Sequence, residues 1–178
     1  MKNIEIKKLD YLEAKDNMNI ILDLYLKAFP KELDRIDNVR ERILDSLKYN
    51  NSALLLVATM NNRIIGVLYG IELLQDNWYA HQIKPFLSEN YDWFNQSLEL
   101  NELFVDTEFQ HLGVGSALMK KVENLELYKT IILSTKKDNN AVALDFYNKL
   151  GYSLLTDNWK SYYGPIYCVL YKLSLIHI

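Results

Sequence analysis

The fold turns on one stretch of the chain: Glu99-Leu100-Asn101-Glu102-Leu103-Phe104-Val105-Asp106, followed at once by Gln110-His111-Leu112-Gly113-Val114-Gly115-Ser116. The first part sits within Ser97 to Val105, which reads as a β-strand. The second opens an amphipathic helix predicted over Gly113 to Leu125, with Val114, Ala117, Leu118, Val122 and Leu125 on one face. Between them lie two glycines at the point where strand becomes helix. Glycine lets a backbone turn sharply and come close to a ligand. The first N–H groups of a helix have no partner inside it, and the helix dipole favours an anion there. The motif therefore reads as a phosphate-binding nest, or equally as a tight turn that binds nothing.

Working outward, Thr130 to Ser134 is a short apolar run of the kind buried on both faces of a sheet. Asn140 to Leu150 follows as a helix, with Asp138 or Asn139 as candidate caps and Gly151 as its stop. Tyr152 to Leu155 and Ile166 to Leu173 supply two last strands. Upstream, Ile4 to Leu9 alternates like a strand, and Asn19 to Phe29 and Asp37 to Tyr49 have helical spacing. Ala53 to Thr59 and Arg63 to Leu73 form a hairpin across Asn61-Asn62. Residues 74 to 96 are rich in aromatics and too long for a plain loop, so a short helix is expected near Ala80 to Leu87. This order predicts an α/β (α+β) fold in one domain over residues 1 to 178. About four helices flank a mixed, mostly antiparallel central sheet of about six to seven strands.

The 178 residues carry a net charge of -3, which leaves no basic footprint for nucleic acid. Cys168 is the single cysteine and sits in an apolar run, so no internal disulfide forms, and a small buried hydrophobe is expected there. The N-terminal residues Met1 to Lys8 lack the apolar core of a signal peptide, and no apolar run approaches a membrane span. A cytoplasmic protein is the expectation.

The glycine loop lacks the Gly-Lys-Ser/Thr end of a P-loop, and Leu118 stands where a dinucleotide fingerprint wants a small residue. Residues 98 to 155 instead resemble the GNAT superfamily of N-acetyltransferases. The family signature Gln/Arg-x-x-Gly-x-Gly/Ala is matched by Gln110-His111-Leu112-Gly113-Val114-Gly115. Asn140 to Tyr152 is similar to the family's Asn…Ala…Phe-Tyr…Gly-Phe/Tyr segment. Thr107 stands where the family often has proline.

The resemblance implies acetyl-CoA as co-substrate, with no metal. The backbone N–H groups of Gln110, His111, Leu112, Gly113, Val114, Gly115 and Ser116 would hold its pyrophosphate. Leu103, Phe104 and Val105 would pair with the pantetheine arm like an added strand. Asn140 would hydrogen-bond the cofactor, and Tyr147 would protonate the departing thiolate. The family sheet splays between its fourth and fifth strands, here Ser97–Val105 and Thr130–Ser134. Glu99 and Glu102 are the candidate bases for freeing the amine of its proton, Glu99 being the better match to the family's strand glutamate. His81, residues 78 to 94, both early helices and Tyr162-Tyr163 are expected around the acceptor, which would be a small-molecule or peptide amine; a homodimer is also compatible. The implied activity is N-acetylation of a primary amine by direct attack in a ternary complex. The alternative is a non-catalytic acyl-CoA-binding or sensing module on the same fold.

Overall fold

A computed structural model describes residues 3–50, 52–161 and 164–174. Tyr162 and Tyr163, expected near the acceptor, lie outside the described residues. Among the described residues seven strands pair in the order β1-β2-β3-β4-β5-β7-β6, and five α-helices accompany them. Among the described residues no helix is long and apolar enough to cross a membrane. The chain separates into two compact units, Met1–Ile71 with Asn101–Asn124, and Glu72–Leu100 with Leu125–Ile178. The cuts fall inside β3 (Arg63–Glu72) and β4 (Ser97–Val105), so each unit holds part of both strands.

The first unit begins with β1 (Glu5–Lys8), antiparallel to β2 (Leu54–Met60), which is antiparallel to β3. Asn61 and Asn62 both take positive φ in the hairpin turn, the conformation asparagine tolerates best after glycine. Helix α1 spans Tyr11–Ala28, two turns more at its start than expected. Asp10 and Glu13 form a reciprocal capping box there. Ala14, Met18, Ile21, Leu22 and Tyr25 of α1, with Val39 and Ile43 of α2 (Ile36–Tyr49), make a core over Leu55, Val57, Val67, Tyr69 and Phe104. Burying each large apolar side chain contributes roughly 1.5–3 kcal/mol, which outweighs the modest intrinsic helix propensity of α1's polar first turns. Helix α4 (Val114–Asn124) buries Val114, Leu118, Met119 and Val122.

In the second unit β5 (Thr130–Lys136) runs parallel to β4 and antiparallel to β7 (Ile166–Leu173), and β6 (Ser153–Lys160) forms the edge. Pairing of β4 with β5 covers Ser97–Leu100 against Thr130–Leu133 and stops there, while β4 continues to Val105 and β5 to Lys136. This is the expected splay between the fourth and fifth strands. The aromatic segment folds as α3 (Trp78–Ile83) and a 3-10 turn at Lys84–Phe86.

The short helix expected after β3 is present and buries Tyr79, Ala80 and Ile83; with it the described residues hold five helices. One expectation needs correction. Neither Asp138 nor Asn139 caps α5 (Ala141–Lys149): the cap position is Asn140, with no capping bond from its side chain. Asn139 takes φ 54° in the turn, and the Asn140 amide reaches back to β5 instead.

Candidate active site

Burial along β4 alternates without a break from Leu98 to Val105. The bonds from Leu73 N to Ser97 O and from Asp106 N to Ile65 O bracket one more residue on β4 than on β3, so β4 carries a bulge between these two rungs. The two candidate bases differ in burial, Glu99 being partly exposed and Glu102 buried. Glu102 is buried, and its carboxylate takes a hydrogen-bonded ion pair from Arg42 of α2. Burial pushes its pKa above the ordinary carboxylate range, against the pull of Arg42 and Arg35. Arg42 also lies over the Tyr69 ring at 5.8 Å. Nearby, burial together with Glu102 pushes the Tyr25 phenol up to about 12. Glu99 is partly exposed and faces the second unit's α3, as its ladder partner Ile132 does.

Asp106 closes β4 and anchors the loop that follows. It is 1% exposed and accepts from Lys27 Nζ at 2.6 Å and Arg63 Nη2 at 2.6 Å. Its carboxylate also caps the 3-10 turn Thr107–Phe109 by accepting from Glu108 N at 3.0 Å, while its own N–H donates to Ile65 O. Burial would raise the Asp106 pKa, but the Lys27 hydrogen bond, the Glu108 N–H and the Lys27 and Arg63 charges outweigh it and hold the carboxyl low. Glu108 bridges the same two cations at 3.3 and 3.1 Å. Sequence spacing gave no sign of this cluster, since Lys27 and Arg63 stand 79 and 43 residues away.

The loop itself has the backbone that the glycine motif anticipates. Gln110 (φ -65°) returns its side-chain amide to Val105 O at 3.1 Å, tying the loop to the end of β4. His111 takes φ 62° and Gly113 φ 83°. Such alternation of φ sign turns consecutive N–H groups to one side. The first α4 bond runs from Ala117 N to Gly113 O at 2.9 Å, so the N–H groups of Val114, Gly115 and Ser116 precede any intrahelical acceptor. A Cβ on Gly113 would meet nothing within 4 Å. An anion at the loop thus meets three N–H groups without an acceptor inside the helix and the positive end of the helix dipole, a donor set that fits a pyrophosphate. The Val105 carbonyl accepts the bond from Gln110. Leu112 and His111 are exposed.

The second unit holds the other predicted residues. Asn140 donates its side-chain amide to Thr135 Oγ1 and, at 3.1 Å, to Lys136 O, which pins it to the end of β5. Tyr147 is buried on α5, its ring at 5.0 Å from Phe146 and 5.5 Å from Tyr152, with its backbone carbonyl accepting from Tyr152 N. His81 is exposed on α3. Cys168 is buried, and burial pushes its thiol pKa up, away from a reactive thiolate. Among the described residues no group of three or more His, Cys, Asp and Glu is placed to hold a metal. So the loop, Leu103–Val105 and Glu102 lie in the first unit, and Glu99, Asn140 and Tyr147 in the second.

Residues 51–154 match the family model described as an acetyltransferase (GNAT) domain. The chain belongs to the GNAT acetyltransferase family. No curated protein matches this GNAT chain in sequence. Solved structures resemble it in fold across nearly their whole length. The PaiA N-acetyltransferase from Thermoplasma acidophilum, in complex with coenzyme A, is 16% identical with a TM-score of 0.67, over 96% of this chain and 99% of that one. A chimera built on the spermidine N-acetyltransferase SpeG from Vibrio cholerae is 15% identical at TM-score 0.68, over 96% and 95%. An aminoglycoside 6'-acetyltransferase is 19% identical at TM-score 0.67, over 96% and 97%.

Proposed function

We propose that this protein is an acetyl-CoA-dependent N-acetyltransferase that transfers the acetyl group to a primary amine by direct attack in a ternary complex. Membership of the GNAT family supports acyl transfer from coenzyme A, and the conformation of Gln110–Ser116 is the observation that carries the reading to this chain's own residues. The cofactor supplies the acetyl group as an activated thioester. The N–H groups of Val114, Gly115 and Ser116, with those turned by His111 and Gly113, hold its pyrophosphate. Leu103 and Phe104 give backbone partners for the pantetheine amides. The Asn140 carbonyl oxygen accepts from the cofactor, since its amide nitrogen already serves Thr135 and Lys136.

A protonated amine has no lone pair to attack with, and an alkylamine's pKa is about 10.4, so a base must take its proton. Glu99 is the better placed of the two carboxylates, because it is partly exposed while Glu102 is buried against Arg42. The backbone N–H of Phe104 or Val105 polarises the thioester carbonyl as negative charge builds on its oxygen. Tyr147 then gives its phenolic proton to the departing thiolate.

The acceptor amine falls among small molecules and peptides, and the structural relatives named for spermidine and aminoglycoside acetylation share only the fold. The test is thiol release from acetyl-CoA across an amine panel, beside thermal shifts with acetyl-CoA, ATP and NAD. Amine-dependent release and a shift with acetyl-CoA alone are expected. Tight acetyl-CoA binding without release would return the chain to the role of an acyl-CoA sensor.

A further inference from the structure

The second unit carries a layer of aromatic side chains that the acyl-transfer steps leave unused. Directly paired residues of neighbouring strands point to the same face of a sheet. Glu99 pairs with Ile132, Ser134 with Val169, and Trp159 with Tyr167, so one face runs from a carboxylate on β4 to an indole on β6. Helix α3 covers it, packing Tyr79, Ala80 and Ile83 against Ile132, Trp159 and Val169. The Tyr79 ring stands nearly edge-on to Trp159 with centroids 5.5 Å apart. Tyr167 lies 5.2 Å from Trp159 on one side and Trp78 6.2 Å on another. The Tyr79 hydroxyl shares a hydrogen bond with Ser134 Oγ. Ser134 is the first β5 residue past the last rung of the β4 ladder, Leu100–Leu133. Burial, and after it the Glu99 charge, raises the Tyr79 phenol pKa, so this hydroxyl stays protonated at neutral pH.

Three features set the layer apart from plain core. Trp159 is 7% exposed, yet its indole N–H has no hydrogen-bond partner among the described residues. A buried donor left unmade is costly, so a water acceptor belongs beside it, which requires room next to the ring. Trp78 keeps 62% of its surface in solvent while resting on Trp159. Glu99 sets a negative charge at one end of this face, and Lys136, paired with Tyr167, sets a positive charge farther along it.

We propose that this layer is the acceptor subsite, and that it takes a primary amine carried on a flat, apolar body. The ammonium sits by Glu99 and the Tyr79–Ser134 hydroxyls, and the body lies along Tyr79 toward Trp78. The carboxylate attracts the cation and takes its proton, becoming a neutral acid and leaving the amine lone pair free. The rings add cation–π attraction and replace water around the apolar body. A polyamine or an amino sugar brings charge or hydroxyls with too little apolar surface to cover Trp78.

The inference rests on the acetyl transfer proposed above, and its test reads binding and transfer apart. Calorimetry on the CoA-saturated protein and thiol release with acetyl-CoA are run with 2-phenylethylamine, hexylamine, spermidine and kanamycin, on the natural chain and on Trp78→Ala. Phenylethylamine is expected to bind about ten-fold more tightly than hexylamine, a preference in the range of ring stacking, and Trp78→Ala to bring the two within about two-fold. Selective binding without transfer would keep the subsite and overturn the transferase. Transfer with spermidine or kanamycin preferred, or a phenyl preference untouched by Trp78→Ala, would overturn the subsite and keep the transferase. Neither binding nor transfer with any of the four would overturn both.

Discussion

Replacing Gly113 by alanine separates the loop's fold from its proposed task. An L-residue at the Gly113 φ of 83° pays about 1–2 kcal/mol for the left-handed conformation. Packing adds nothing, because the new Cβ meets no atom within 4 Å. For a domain of this size each kcal/mol moves Tm by about 2–4 °C, so Gly113→Ala should melt about 2–8 °C lower. Gly151 is the matched control. It has φ 87°, its Cβ would touch only the Lys172 chain end at 3.6 Å, and it stops α5. Gly151→Ala should therefore lose a similar amount of stability. The two must part in acetyl-CoA affinity by calorimetry. With the pyrophosphate held at this loop, the methyl and the backbone adjustment it forces should cost Gly113→Ala at least about ten-fold in Kd, or 1.4 kcal/mol. Gly151→Ala should bind as the natural chain does. Unchanged affinity in Gly113→Ala, or an equal loss in both, would refute the placement of the pyrophosphate.

Tyr147→Phe should cut turnover about 10²-fold or more, in the range of a lost general acid, with acetyl-CoA affinity nearly intact. Single-turnover kinetics and calorimetry together check both halves. Arg42→Ala leaves the Glu102 carboxylate buried without its ion-pair partner. We expect about 2 kcal/mol of destabilisation at pH 7 in urea, below the full buried-pair cost because Arg42 is 32% exposed. That deficit should shrink as pH falls, since Glu102, already raised, neutralises first. Asp106 behaves oppositely: its carboxyl is held low in the folded chain, so the stability it contributes is present above the ordinary carboxylate range and is lost as pH falls through its folded value. Asp106→Asn should flatten that acid limb in melts between pH 5 and 2, approximately the span over which a lowered carboxylate titrates.

How far the sequence carries the structure depends on the residues concerned. Strand β4 was legible in its bounds, Ser97–Val105, although apolar and polar residues alternate only from Leu98 to Asn101 before Leu103-Phe104-Val105 runs apolar. The loop and α4 were legible because glycine and a helical apolar face leave few alternatives. Helix α1 was read too short, since its first turns carry Glu13, Lys15, Asp16 and Asn17. Only Ala14 and Met18 go to the core there, and the Asp10–Glu13 capping box was the overlooked signal. Strand β6 runs to Lys160, well past Leu155, through Thr156-Asp157-Asn158, a polar edge with register irregularities that erase the period of two. The site residues followed the same division. Glu99, Asn140 and Tyr147 sit in motifs, whereas the partners that set their surroundings come from far along the chain. Arg42 had a local sign, a charge three residues after Val39 on a face that buries Val39 and Ile43, but its partner Glu102 lies 60 residues away. The Tyr79–Ser134 pair, 55 residues apart, had none.

The central claim is that the loop Gln110–Ser116 serves acetyl transfer to an amine. Its most direct test is one reaction followed for both products: free thiol from acetyl-CoA, and acetylated amine by mass spectrometry, with amine present and absent. The account predicts equal amounts of the two, with negligible thiol when amine is left out. Acetyl-CoA that binds at the loop yet yields no acetylated amine from any acceptor offered would contradict it.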